Sequence, residues 1–300
     1  MQNDKLLNYL HLHFIVFIWG FTAVLGALIS IDAIPLVWYR MLLASILIYI
    51  YVRWKKIDLR FSYRTLGGFF LAGLIIALHW LAFFGAIKVS NVSVTLAIMS
   101  TGAFFTSLLE PLLYRRKIIG YEVFFGMLVV VGLYVIFNVE GDYFWGIVLA
   151  LSSAFLGALF SVINGKYALQ YKATAISFYE LLFGMLCISV YLTFSGSFNN
   201  SFFQVSPSDW MYLFILASAC TAYAFIASVY VMRWISPYTV MLTINMEPVY
   251  GIILALLILG DGENMSPQFY YGAAIIILTV VANGIIKMKL ERKKRRLGAG

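Results

Sequence analysis

Charged residues are scarce in this chain, at 11% of its 300 residues, whereas they make up about a quarter of a typical soluble domain. Cysteine is scarcer still: Cys187 and Cys220 are the only two, and both lie in apolar stretches. These shortages exclude a disulfide-bonded secreted scaffold and a cysteine-rich metal site. The sequence also lacks a glycine-rich phosphate-binding loop and an H-E-x-x-H motif. We therefore expect no ATP site, no catalytic or metal centre, no cofactor and no enzyme activity.

Apolar residues are abundant instead, with hydrophobic types at 63% of the chain and aromatic types at 17%. A helix needs about 20 mostly apolar residues to cross a membrane. The sequence contains ten such stretches, which predicts an all-α integral membrane protein with ten transmembrane helices. The predicted spans cover roughly residues 10–30, 35–54, 66–87, 91–113, 118–138, 143–165, 173–194, 209–232, 237–259 and 266–288.

Lysine and arginine are distributed unevenly between the predicted loops. If both termini are cytoplasmic, every lysine and arginine except Arg40 and Lys88 lies on the cytoplasmic side, in agreement with the positive-inside rule. The basic run Lys287–Leu297 continues into a cytoplasmic tail, residues 291–300, which we expect to meet membrane lipids and not nucleic acid. The predicted location is the inner (plasma) membrane, crossed many times.

The chain also resembles itself. The stretch from Ser90 to Gly126 aligns with the stretch from Ser236 to Gly272 without a gap. This divides the chain into two five-span halves, residues 1–138 and 139–290. Because five is odd, the second half enters the membrane with the opposite polarity. Such an inverted-topology repeat is typical of secondary transporters, whose substrate site lies between the two halves.

The alignment pairs Thr101-Gly102 in the fourth span with Glu247-Pro248 in the ninth, both near mid-membrane. Pro248 has no N–H to donate, so we expect its helix to bend, and Gly102 loosens the matching helix. A charge at mid-membrane costs about 3 kcal/mol, so Glu247 should face the interior. There it either carries a proton, contacts a substrate amine, or packs helices as a hydrogen-bonded group.

Other polar and aromatic residues in the spans are candidates for the same site. His79 can relay protons or bind an anion, or simply join two helices by a hydrogen bond. Lys88 either attracts carboxylates at the outer mouth or extends its charge to the interface. The predicted substrate-cavity residues are Trp19, His79, Trp80, Asn91, Thr95, Thr101, Tyr223, Asn245 and Glu247, with bends at Gly102 and Pro248 and an outer mouth at Lys88.

Two further charged residues, Arg40 and Glu180, occupy aligned positions in the second and seventh spans. The predicted orientation puts them at opposite sides of the membrane, so we expect no direct ion pair between them. We interpret both as structural.

The pair Trp19-Gly20, the pair Glu247-Pro248 and the long stretches Gly85–Arg116 and Val229–Asp261 resemble the EamA-type members of the drug/metabolite transporter superfamily. The resemblance covers nearly the whole chain. It implies a compact helical basket whose central cavity is lined mainly by spans one, three, four, six, eight and nine. It also implies efflux or exchange of small metabolites, amino acids among them. One departure is Gly102, which stands where the family usually has proline.

The sequence therefore predicts a secondary transporter that exports small metabolites, amino acids or related compounds, by alternating access. Its partners would be a small-molecule substrate, with protons as an optional coupling ion, and membrane lipids. A channel or a structural membrane subunit without transport coupling is the alternative. A channel usually shows a stripe of like polar residues along one pathway, and none stands out in this sequence.

Overall fold

The computed structural model describes residues 2–115, 120–139, 141–235, 237–244 and 246–296. Throughout these residues the chain is helical and contains no β-strand, so the predicted all-α class is confirmed. The α-helices are α1 (Gln2–Leu28), α2 (Ala33–Trp54), α3 (Tyr63–Val89), α4 (Val92–Met99), α5 (Gly102–Leu113), α6 (Gly120–Val139), α7 (Phe144–Tyr167), α8 (Ala173–Phe194), α9 (Pro207–Ala217), α10 (Ala224–Val231), α11 (Pro237–Ile244), α12 (Glu247–Leu259) and α13 (Pro267–Arg296).

Length and hydropathy identify the membrane-crossing segments. Two apolar helices are shorter than a full membrane span and fall within the predicted fifth and ninth spans: Phe124–Ile136 and Glu247–Leu259. A helix suits the bilayer interior because it satisfies its own backbone hydrogen bonds. Eight stretches of the described residues are long and apolar enough to cross a membrane: Leu7–Leu28, Ala33–Trp54, Tyr63–Val89, Val92–Leu113, Phe144–Tyr167, Ala173–Phe194, Pro207–Val231 and Pro267–Ile286.

Three of the predicted spans are interrupted. The fourth breaks at Ser100 and Thr101, between α4 and α5, and the ninth breaks between α11 and α12. The eighth, predicted as one continuous helix, contains a π-helical turn at Ser218–Tyr223 that separates α9 from α10. Within that turn the hydroxyl of Thr221 donates to the carbonyl oxygen of Leu216, at 2.6 Å. The wider turn leaves backbone carbonyl groups available to other helices, as described below for Arg40.

The helices pack around α3, which contacts α7 on one side and α8 on another. Helix α1 packs against α12 and α10, and α7 packs against α4 and α5. Helix α2 packs against α8 and α9, while α6 and α13 pair with each other at the edge of the bundle. Helices from the first and second parts of the chain therefore alternate around the centre.

Glycines set the closest helix approaches. A Cβ atom added to Gly73 on α3 would lie 2.5 Å from the backbone oxygen of Glu180 on α8, and one added to Gly184 would lie 2.7 Å from the backbone oxygen of Gly73. At the crossing of α1 and α12, a Cβ on Gly20 would lie 3.0 Å from the backbone nitrogen of Gly251. Small residues at such crossings let helix backbones approach closely in a membrane, where van der Waals packing drives association.

We expect Gly73→Ala to destabilise the protein by about 1–3 kcal/mol, because the added methyl group forces α3 and α8 apart. Gly67→Ala on the same helix is the matched control, since a Cβ there meets no atom within 4 Å. Thermal unfolding in detergent should give a lower Tm for Gly73→Ala and an unchanged or higher Tm for Gly67→Ala. Equal Tm values for the two variants would contradict the close crossing.

Candidate functional site

A central cavity lies between the helices of the bundle. Its empty space is about 740 Å³, including its open mouth, and residues from α1, α2, α3, α4, α7, α10, α11 and α12 line it. In terms of the predicted spans these are one, three, four, six, eight and nine, as the family resemblance implied, and also the second span. Five aromatic side chains form much of its wall: Trp19, Trp80, Phe83, Phe160 and Phe225.

Two of the predicted cavity residues, Trp19 and Glu247, come from the crossing of α1 and α12. A Cβ on Gly20 would lie 3.2 Å from the backbone oxygen of Glu247, which shows how closely α1 passes the start of α12. Glu247 begins α12 directly after the helix break, and Pro248 follows it within the first turn. The Glu247 side chain is buried and lines the cavity. Among the described residues, no hydrogen bond or salt bridge to its carboxyl group is formed.

Arg40 on α2 is also part of the cavity wall, although we interpreted it as structural from the sequence. Its side chain is 1% exposed. The π-helical turn holds it, because Nε donates to Thr221 Oγ1 at 2.6 Å and Nη2 to the carbonyl oxygen of Cys220 at 3.4 Å. The guanidinium carbon lies 3.9 Å from the ring centroid of Trp80, a cation–π contact. The remaining nitrogen, Nη1, is buried and makes no hydrogen bond to any described residue.

Arg40 and Glu247 thus place a guanidinium and a carboxyl group on the wall of one largely aromatic cavity. The two groups interact electrostatically, but no salt bridge joins them among the described residues. In a medium of low dielectric, each charge is costly to leave unpaired, and a buried carboxyl group without a partner favours its neutral form. The cavity wall therefore holds one cationic and one ionisable group.

His79 lines the cavity from α3 and is fixed by α7. Its Nδ1 lies 2.8 Å from the carbonyl oxygen of Ser153 and 2.9 Å from the Ser153 hydroxyl oxygen. Because a carbonyl oxygen only accepts, Nδ1 carries a proton and donates it, which leaves Nε2 of the neutral ring as an acceptor. Gly157, one turn after Ser153, makes room for the ring, since a Cβ there would lie 3.1 Å from it. His79 therefore joins α3 to α7 by a hydrogen bond, as one of its sequence interpretations expected. A role in relaying protons or binding an anion stays a prediction.

These observations locate the site, and comparison with known proteins places the chain in a family. The profile of the EamA-like transporter family matches residues 8–138 and 144–284. The chain belongs to this family. It is 24% identical over 285 residues to an uncharacterized transporter of Archaeoglobus fulgidus, covering 92% of this chain and 95% of that protein. A solved crystal structure matches with a TM-score of 0.67 at 14% identity, covering 92% of this chain and 97% of that one, so it shows a shared fold.

Two of the residues expected in the cavity of this EamA-like transporter lie instead at the start of α4. Asn91 is the helix cap, with Oδ1 accepting from the backbone N–H of Val94 at 2.8 Å and Nδ2 contacting the sulfur of Met265 at 3.2 Å. Thr95 donates its hydroxyl to the carbonyl oxygen of Asn91 at 2.8 Å. Both share a helical stripe with Met99, which does line the cavity, but they lie one and two turns away from it along the helix.

Tyr223 and Thr101 do not line the cavity either. Tyr223 is 44% exposed and bonds His11 Nε2 through its hydroxyl at 2.8 Å. It is two residues from Phe225 and so faces nearly the opposite side of the helix from the cavity wall. Thr101 is fully buried at the break between α4 and α5. Asn245, the remaining candidate from the sequence, lies outside the described residues.

The residues expected at the outer mouth and at the helix bend, Lys88 and Gly102, lie at the end of α3 and the start of α5. Lys88, near the end of α3, donates to the carbonyl oxygen of Ile29 and interacts electrostatically with Asp209 and Asp32. It is half-buried and does not line the central cavity. Gly102 begins α5, where a Cβ would lie 2.9 Å from the Met241 methyl group. No group of three or more His, Cys, Asp or Glu side chains suited to a metal ion occurs among the described residues.

The acidic residue Glu263 fixes the start of α4, next to Asn91, which the sequence analysis expected in the cavity. Its carboxylate accepts from the backbone N–H groups of Val92 at 3.0 Å and Ser93 at 2.8 Å. These N–H groups are the unpaired donors of the helix start, and a carboxylate there is stabilised by the helix dipole. Glu263 therefore ties the turn before α13 to α4.

We expect Glu263→Ala to destabilise the protein by about 1–2 kcal/mol, because two buried N–H groups lose their acceptor. Asp142→Ala removes an exposed acidic residue from the turn before α7 and serves as the control. Thermal unfolding of the purified variants would measure the difference. A Tm for Glu263→Ala equal to that of Asp142→Ala would contradict the capping role.

Proposed function

We propose that this protein is a secondary transporter that exports small metabolites, amino acids or related compounds, by alternating access. The observation that carries this proposal is the central cavity with Arg40 and Glu247 in its wall. Its wall is mainly apolar and aromatic with a few polar groups, which is the make-up usual for small-molecule sites. Membership of a transporter family and the apolar helices around the cavity agree with a role in moving a solute across the membrane.

The charges favour a zwitterionic substrate. A guanidinium binds a carboxylate through parallel, charge-assisted hydrogen bonds. The substrate carboxylate would bond Nη1 of Arg40, which is buried and has no hydrogen-bond partner among the described residues. Glu247 would accept from the ammonium group of the same molecule. Since both protein charges are costly when unpaired in an apolar cavity, a substrate that neutralises both gains more than one that neutralises either alone. The aromatic wall would hold an apolar side chain.

The ten-span inverted repeat is the second part of the proposal, and the helix contacts support it. The repeat pairs span one with six, three with eight and four with nine. The contact of α1 with α12 joins spans one and nine, and its counterpart in the repeat is the contact of α7 with α4, in spans six and four. Likewise, the contact of α3 with α7 joins spans three and six, and its counterpart is the contact of α10 with α1, in spans eight and one. The breaks after α4 and α11 also fall at paired places. Alternating access would then be a movement of one half against the other around the cavity.

Export and proton coupling complete the proposal. The family resemblance supports export, and the sequence offers no nucleotide site to supply energy, which leaves an ion gradient or substrate exchange. Glu247 or another buried carboxylate would carry the proton. A channel would use the same cavity without alternating access, and saturable counterflow of substrate separates the two, because a channel does not show it.

We expect Arg40→Gln and Glu247→Gln each to weaken zwitterion binding about 10- to 100-fold, since a hydrogen bond to a charged group contributes about 1.5–3 kcal/mol. Proteoliposomes would be assayed for counterflow of labelled leucine and phenylalanine, with the methyl esters and N-acetyl derivatives as competitors. In wild type the free amino acids should compete best. Arg40→Gln should remove the preference over the ester, and Glu247→Gln the preference over the N-acetyl form.

Exposed charges of the same sign are the controls for these variants. Arg53→Gln neutralises an exposed arginine on α2, and Asp142→Asn an exposed carboxylate before α7. Both should behave as wild type. Absence of saturable counterflow for every amino acid tested, with correctly folded wild-type protein, would contradict the proposed function. Equal loss of all competitors in Arg40→Gln would assign Arg40 to packing.

The orientation in the membrane is also a proposal, with both termini cytoplasmic and the protein in the inner (plasma) membrane. In a background without Cys187 and Cys220, we expect Arg115→Cys and Gly298→Cys to react with a membrane-impermeant maleimide only from the cytoplasmic side. Asp142→Cys should react only from outside. Reaction of the first two from different sides would overturn the ten-span arrangement.

A further inference from the structure

A second group of buried polar residues borders the central cavity, on α7 and α8, which both pack against α3. It consists of Ser161 and Asn164 on α7, and Ser177 and Glu180 on α8. Each pair is three residues apart, so its two side chains share one helical face. All four side chains are at most 2% exposed. The sequence analysis interpreted Glu180 as structural and did not single out the other three as a group.

The backbone of the cluster is fixed by close helix packing, but most of its polar side-chain atoms lack hydrogen bonds. The crossing of α3 and α8 at Gly73 fixes the backbone of Glu180. Yet both carboxyl oxygens of Glu180, both amide atoms of Asn164 and the hydroxyl oxygens of Ser161 and Ser177 lack a hydrogen-bond partner among the described residues. The Asn164 amide lies close to the Glu180 carboxyl without reaching hydrogen-bond geometry. Buried polar atoms are normally paired, so six unpaired ones in one cluster require an explanation.

Among the described residues, no positively charged side chain pairs with Glu180. Helix α2 brings Arg40 to the cavity and α3 brings His79, but neither bonds the Glu180 carboxyl group. Helix α10, which also packs against α8, contains no charged residue. Tyr167 at the end of α7 interacts electrostatically with Glu180. An isolated carboxylate is too costly at such a site. We therefore expect Glu180 to bind a cation, either a proton or a metal ion, in this conformation.

Ser161 connects the cluster to the central cavity. It lines the cavity wall and stands one turn from Asn164 on the same helix face. A polar route therefore leads from the cavity through Ser161 and Asn164 to Glu180. A proton suits this site better than a metal ion, because a metal ion needs several oxygen atoms converging on one point. No hydrogen bond joins the oxygens of the cluster, and no group of three or more His, Cys, Asp or Glu side chains suited to a metal ion occurs among the described residues.

We propose that Glu180 is the proton-carrying group that couples transport to a proton gradient, with Asn164 and Ser161 leading the proton to and from the central cavity. This inference rests on the proposed function but concerns a different site from the substrate charges. In each cycle the carboxylic acid of Glu180 releases one proton to water in the cavity when it opens to one side. The carboxylate takes up one proton from the other side, and substrate moves in the opposite direction.

The test separates substrate exchange from proton-driven accumulation in Glu180→Gln, which keeps the shape of the side chain and cannot release the proton. Proteoliposomes would be loaded with labelled leucine or phenylalanine. Equilibrium exchange should stay within about twofold of wild type, whereas accumulation driven by a pH gradient should fall at least tenfold. A pH-sensitive dye inside the vesicles should report substrate-induced proton movement for wild type and not for Glu180→Gln. Asp142→Asn, which removes an exposed carboxylate, is the control and should match wild type.

The possible results are distinct. Undiminished accumulation by Glu180→Gln, loss of exchange together with accumulation in a folded variant, or wild-type accumulation driven by a sodium gradient alone would each overturn the proton role. Failure of wild type to exchange any amino acid would instead contradict the proposed function. Infrared difference spectroscopy of wild type on a pH change gives an independent measure that needs no substrate. It should show a carboxylic-acid band that Glu180→Gln lacks, and absence of any such band in wild type would also overturn the proposal.

Discussion

The contacts that fix the buried guanidinium group of Arg40 are the central constraint of this structure. Arg40 sits in an apolar helical bundle, and its position depends on the π-helical turn that supplies Thr221 and the carbonyl group of Cys220, and on the ring of Trp80. These contacts satisfy part of the group and fix its plane, while Nη1 stays buried without a hydrogen-bond partner among the described residues. Glu247, brought in by the crossing of α1 and α12, then defines the other end of the site. The chemistry of the cavity follows from these two placements.

Glycine at the helix crossings connects the packing to the chemistry. Gly20 and Gly251 let α1 cross α12 closely beside Glu247, Gly157 admits the ring of His79, and Gly73 fixes the backbone of Glu180. In each case the missing side chain allows a polar group to sit at a defined depth among apolar helices. A bundle held only by large apolar side chains would have more freedom to slide, and its few charges would be less well positioned.

The membrane class, the all-α fold and the family were accessible from the sequence, because apolar runs of spanning length and a repeated pattern are local or nearly local signals. Trp19, His79, Trp80 and Glu247 were placed in the cavity for the same reason: a polar or aromatic residue at mid-membrane has few other places to go. Arg40 was missed because a lone arginine gives no indication of its partners, although its cost in a span was a usable signal. Tyr223 and Asn91 lie away from the central cavity, because helix phase and depth depend on the π-helical turn and on the capping by Glu263, which are tertiary features.

The π-helical turn also has a consequence for how this segment tolerates changes in length. Each residue of an α-helix advances the side-chain direction by about 100°, so one residue more or less before Ser218 or after Tyr223 would turn α10 by nearly a third of a revolution. Phe225, Ser228 and Met232 would leave the cavity together. Point substitutions in α9 are therefore far easier to accommodate than a single-codon insertion or deletion, and natural length variation should be confined to the loops on either side.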